Sequence, residues 1–162
     1  MQYLQELEHF FQEVELPVII SDEYISAFSK ENPPISLDFI EKIIPWEKDV
    51  DEFTEFIPCF RLPNQKNFIG FVYWKGGLLS YDFILATIDF KGTSIMHKSI
   101  AGTRVSDDGS ITISIASIDT DLSIKIMIGR STDGIHYSGE DSKSYYMEVL
   151  ENGEITIPFQ ET

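Results

Sequence analysis

The chain has 162 residues, 43% of them hydrophobic, with one cysteine and a formal net charge of −15. That length and apolar content fit one folded domain with its own core and are short for two. The charge argues against nonspecific nucleic-acid binding and against adsorption to an anionic membrane, because both surfaces repel a polyanion.

The imbalance is uneven. Residues 1–60 carry fourteen Asp and Glu against three Lys, a net of −11, whereas residues 61–162 carry thirteen acids against nine bases, a net of −4. A cationic partner would therefore be steered to the first third. Cys59 is the single cysteine, so neither an intrachain disulfide nor the usual thiolate zinc site can form. The opening residues lack a basic stretch followed by a continuous apolar run, and no segment approaches the length of a bilayer-spanning helix. A cytoplasmic protein is the expectation.

In chain order, Tyr3, Leu7, Phe10 and Val14 recur at helical spacing, and Leu4 and Phe11 widen the stripe. This predicts a helix that runs to about Glu15, before Pro17, with His9 on its surface. Ser21-Asp22-Glu23 is a start signal for a second helix, stopped by Pro33-Pro34. Ser36 can cap a third, LDFIEKII, with Ile35 placed to pack on Ile40. Residues 1–45 thus form the helical part of a single domain, and residues 46–66 an irregular acidic segment. The latter has no clean period and reads as a crossing onto the sheet or as a strand with a mixed face. Pro58 and Pro63 place part of it at an edge.

Residues 67–162 read as sheet. FIGFVYW is a strand, Lys75-Gly76-Gly77 a turn, LLSYDFILATIDF a long strand, Lys91-Gly92 a turn, and TSIMHKSIAG the next strand. After Ser106-Asp107-Asp108-Gly109, Ile111, Ile113 and Ile115 alternate with small polar residues, which places the isoleucines on one face of a strand. Asp119-Thr120-Asp121 turns into a partner strand with Ile124, Ile126 and Ile128. SYYMEVL and EITIPF form a last hairpin around Glu151-Asn152-Gly153, after a long loop at residues 129–144. The predicted fold is α+β: short N-terminal helices packed on a curved, about seven-stranded antiparallel meander. Strands such as FIGFVYW are apolar toward both faces, so one face must be covered; the amphipathic helices are the obvious cover, and a curled sheet that packs on itself, approaching a barrel, is the alternative.

No phosphate-binding glycine loop, GxSxG elbow or HExxH pair occurs, and His9, His97 and His136 have no metal-ligand spacing. No cofactor and no metal are expected. Asp107-Asp108 and Asp119/Asp121 fall at strand ends, where Asp closes turns. Cys59, between Pro58 and Phe60, reads as a buried inert thiol. One combination has the ingredients of a protein-binding surface: Trp46 and Phe53 as aromatic anchors, with Glu47, Asp49, Asp51, Glu52 and Glu55 to steer a basic partner. An alternative is a small-ligand pocket lined by Trp74, Tyr81 and His136.

The run YDFILATIDFKGTSIMHKSIAGT, with Thr87, Asp89, Lys91, Gly92, Ile100, Ala101 and Gly102 at the marked positions, resembles a pattern in small, acidic, β-rich bacterial proteins. Some of these are similar to immunity proteins encoded beside toxins. The resemblance covers the sheet half and brings no catalytic residue. It implies a non-enzymatic inhibitor that occludes a basic toxin or nuclease with an acidic face. A structural module is the third reading, and oligomeric state is open because an exposed edge strand could pair.

Overall fold

The computed structural model of the chain describes residues 2–24, 35–133 and 142–160. Helix α1 (Gln2–Phe10) is followed by strand β1 (Val18–Ile20) and helix α2 (Leu37–Ile43). The remaining strands are β2 (Glu55–Arg61), β3 (Ile69–Gly76), β4 (Ser80–Ile88) and β5 (Ser94–Val105), then β6 (Ile111–Ile118), β7 (Ser123–Ser131), β8 (Lys143–Glu148) and β9 (Phe159–Gln160). β2 to β9 are hydrogen-bonded in sequence order as one antiparallel path, and β1 adds to β6. The second predicted helix is helical over residues 22–24, and beyond that lies outside the described residues, as does His136. No described helix is long and apolar enough to cross a membrane.

The fold is thus α+β, as expected, but with eight strands in the path where about seven were predicted. The added strand is β2, carved from the acidic segment. Pro58 sits in it beside a register shift, which an edge strand tolerates. β1 is three residues long and gives no periodic signal. Helix α1 stops at Phe10 instead of near Glu15. Residues 12–14 leave it to satisfy the free edge of β2: Arg61 N–H donates to the Gln12 carbonyl and Val14 N–H to the Arg61 carbonyl, both at 2.9 Å. An unpaired strand edge outweighs a weak helical preference. The last predicted strand, EITIPF, is reduced to a single bridge, Val149 to Ile155, and to β9.

β3 and β4 are apolar on both faces, and two separate cores use them. Outward, Phe71, Tyr73, Ile84, Ala86 and Ile88 pack under Leu7, Phe11, Phe39, Ile40 and Ile43 of the helices and their ends. α2 begins where Ser36 accepts a hydrogen bond from Phe39 N–H at 3.3 Å, and this aims its buried residues at the sheet. Inward, Val72, Phe83 and Leu85 share a core with Val18 and Ile20 of β1 and with Ala116, Ile118, Ile124, Ile126 and Met147 from the far half of the path. The sheet therefore curves back over its own inner face.

The curve is made in β5. Between Ala101, opposite Phe83, and Ser99, opposite Ile84, one residue is extra, so consecutive Ile100 and Ala101 are both buried. Gly102 follows with φ +148°, and a Cβ there would lie 2.2 Å from the Tyr81 carbonyl oxygen. Beyond it, Gly102–Val105 pair with β6, whereas the first half of β5 pairs only with β4.

β6 turns its three regularly spaced isoleucines away from the inner core. The turn before β7 has Leu122 at φ 65° and pairs Ile118 with Ile124, which sends Ala116 and Ile118 inward. Ile111, Ile113 and Ile115 then point outward and are half-buried, and Thr112 and Ser114 take the inner positions. The turn and the Ile124–Ile126–Ile128 run set the phase, since a strand's faces alternate strictly.

Replacing Gly102 with alanine adds a steric clash to the strained backbone, whereas Gly109 (φ +82°) has open space where its Cβ would go. Gly109→Ala should cost about 1–2 kcal/mol from conformation alone, and Gly102→Ala clearly more. Urea-unfolding midpoints of the two variants check this; equal midpoints would remove Gly102 from its role as the corner.

Candidate functional site

The acidic segment divides at Glu47 into a half that turns inward and a half that faces solvent. After α2, Glu47 N–H donates to the Ile44 carbonyl at 3.0 Å, a tight turn that lays Trp46 and Glu47 against the outer face of β3. The Glu47 side chain is only 6% exposed. Trp46 Nε1 donates to the Tyr73 hydroxyl at 2.8 Å, the Tyr73 hydroxyl donates to Glu47 Oε1 at 2.7 Å, and Lys75 Nζ donates to Glu47 Oε2 at 2.7 Å. Burial, and after it the negative charge of Glu47, push the Tyr73 pKa up, so the hydroxyl keeps the proton it donates. The Trp46 indole also stacks on His97 of β5, with centroids 4.8 Å apart and planes at 9°. Each polar atom of the cluster faces a partner of opposite character, which is what a buried carboxylate requires. Trp46 and Glu47 therefore fasten the segment to the sheet.

Asp49, Asp51, Glu52, Phe53 and Glu55, the other five residues of the predicted surface, are exposed. Asp51 shapes the loop that carries them. Its Oδ1 accepts from Phe53 N–H at 2.8 Å and from the Thr54 hydroxyl at 3.0 Å. These hydrogen bonds, the one from Phe53 N–H foremost, hold its pKa below the usual carboxylate value. Phe53, which the turn presents, is 55% exposed.

The register between β2 and β3 adds residues that no local reading could supply. Glu55 pairs with Gly76, so the loop at 51–54 and the β3–β4 hairpin lie at one end of the sheet. That hairpin turns not at Lys75-Gly76-Gly77 but over residues 77–80, where Gly77 N–H donates to the Ser80 carbonyl at 2.9 Å. Its tip is Leu78 and Leu79, 76% and 66% exposed. Val105, whose N–H donates to the Leu79 carbonyl at 3.0 Å, extends the apolar surface. The signal in the sequence is the Leu-Leu pair directly after Gly-Gly, where turn chemistry favours Gly, Asn or Asp.

The alternative residues meet in part. Trp74 and Tyr81 lie with ring centroids 5.8 Å apart. The indole covers Gly76 so closely that a Cβ there would clash with it, so this position takes only glycine, and His136 lies outside the described residues. Cys59 is 2% exposed, and burial pushes its thiol pKa up, as expected of an inert cysteine. Asp108 and Asp121 accept from the N–H groups of Ser110 at 2.9 Å and Ser123 at 3.0 Å, closing turns as predicted. Comparison with family models, with curated proteins and with solved structures returned no match.

Tyr73→Phe leaves the Trp46 N–H and one Glu47 oxygen unpaired and should destabilise the fold by about 1–3 kcal/mol, read from denaturant unfolding; no change would mean the cluster does not hold the segment. Loss of hydration, with Glu47 opposing, keeps the His97 pKa below its ordinary 6.5. Because the folded value is the lower one, the associated stability is fully present above 6.5 and is lost as pH falls from there through the lower folded value. Trp46→Ala should raise the His97 pKa in an NMR titration, since the attraction of Glu47 remains; an unchanged value would refute shielding by the indole.

Proposed function

We propose that the protein is a non-enzymatic binding module that holds a basic protein against the end of the sheet formed by residues 49–55 and 77–79. The observation that carries this reading is the leucine pair at an exposed hairpin tip, at the same end as Phe53 and the exposed acids. Two leucines and a phenylalanine held out in water serve no core. Apolar anchors inside a charged rim are the usual anatomy of a protein-binding hot spot. Phe53, Leu78 and Leu79 supply the buried contact, and Asp49, Glu52 and Glu55 the steering. Asp51 is a positioning residue, because its carboxylate is already committed to the turn.

The partner class follows from charge. A surface in a chain of net charge −15 attracts a cationic protein from a distance and rejects an anionic one. An inhibitor of a basic toxin or nuclease fits, since charge-steered association gives rapid capture and an acidic face can lie over a site built for phosphate. The resemblance of the sheet half to immunity-like proteins points the same way.

The test is retention of a basic partner from the native lysate at low salt, followed by kinetics with the purified pair. The joint variant Glu52→Lys/Glu55→Lys should lower the association rate about tenfold and flatten its salt dependence. Leu78→Ser/Leu79→Ser should instead speed dissociation by at least about tenfold. A partner that binds both variants as it binds the wild type would sink this reading.

A further inference from the structure

We propose that the cleft where β5 parts from β6 is a binding site for a small, uncharged amphiphile with an apolar body and one hydroxyl or amide group. This site is on the concave face of the sheet and does not rest on the partner-binding reading. The cavity has a volume of about 300 Å3, within the range of small-molecule sites. It exists because of the phase of β6. With the isoleucines of that strand outward, Thr112 and Ser114 face β5 across Gly102, and small side chains leave the space open.

The lining divides by chemistry. Ile100, Ile126, Ile128 and Met147 form an apolar floor. Thr112, Ser114 and Tyr145 are three hydroxyl-bearing side chains in the lining, and no hydrogen bond of these hydroxyls to another side chain occurs among the described residues. Each can donate and accept, which suits a hydroxyl or an amide. The two charges at the wall lie beside each other, the Arg104 side chain largely exposed. Asp82 Oδ1 accepts from the Ser99 hydroxyl at 2.8 Å and lies 3.5 Å from the Arg104 guanidinium. A pre-paired wall gives little purchase to a charged ligand, and the net charge of −15 opposes an anion further.

Three probes of one shape separate the contributions: 4-methylphenol, toluene and 4-methylbenzoate, each titrated into the full chain with 13C-labelled Ile and Met methyls. The expected result is saturable shifts of the Ile126, Ile128 and Met147 methyl signals with 4-methylphenol. Toluene should bind about threefold to tenfold more weakly, the equivalent of one net hydrogen bond, and 4-methylbenzoate most weakly of the three. Ser114→Leu should abolish the shifts by filling the cleft. Thr112→Val, which keeps the shape and removes one hydroxyl, should weaken 4-methylphenol and leave toluene unchanged, and it decides the matter if the leucine variant does not fold. The proposal is overturned by failure of all three probes to saturate, by tightest binding of 4-methylbenzoate, or by titrations that neither substitution alters.

Discussion

Phe71 and Tyr73 leave β3 on one face, Val72 and Trp74 on the other, and most of the molecule follows from the need to keep both pairs out of water. A strand that is apolar on both sides cannot lie at the surface of an antiparallel sheet. Burying a large side chain is worth about 1.5–3 kcal/mol, so neither face can be left open in a domain with a total stability of about 5–15 kcal/mol. Two covers are needed, and the chain supplies them from opposite ends. The N-terminal helices close the outer face, and the later strands curl back over the inner one.

Each cover has a device that holds it. On the outer face it is the Tyr73 hydroxyl, which donates a hydrogen bond to Glu47 and accepts one from Trp46, on a residue that is itself fully buried. Because the carboxylate is tied down there, the acids that follow it emerge at one end of the sheet, beside the β3–β4 hairpin. Stability of the cover and presentation of the charged loop are therefore one interaction. On the inner face the device is backbone geometry: a bulge at Ile100 and a glycine that alone can approach the Tyr81 carbonyl. Residues 12–20 complete the arrangement by bonding to the outer edge of β2 and to β6.

The curl is not packed to the same density throughout. Where β6 lies against β7, Ala116 and Ile118 meet Ile124 and Ile126 in a closed core. Nearer the β5 corner, Thr112, Ser114 and Gly102 leave a cavity with polar walls. Leucine at the exposed tip of a hairpin and hydroxyls facing an apolar floor both depart from local stability rules, and such departures collect where a protein binds something. They sit at different places here: one on the rim of the sheet, the other within its concave face.

The sequence by itself determines the first helix, the helix capped at Ser36 and the order of the strands from β3 to β8. Helical spacing at Leu4, Leu7 and Phe11, the Ser36 cap, the apolar runs of β3 and β4 and the period-two runs of β6 and β7 are local properties, read within a few residues. It also determines the acidity of the segment that carries five of the exposed binding candidates. Tertiary structure alone decided which apolar residues of that segment face the core. Trp46 and Phe53 look alike in sequence, but one has Tyr73 within reach and the other has Asp51 turning it outward. It decided the phase of β6 as well, because a turn at Leu122 and a partner strand override three isoleucines. Strand pairing over long separations brought Leu78 and Leu79 to the end of the sheet where Phe53 lies, and joined β1 to β6. Register and burial are collective, since each depends on residues distant in the chain, and no local period encodes them.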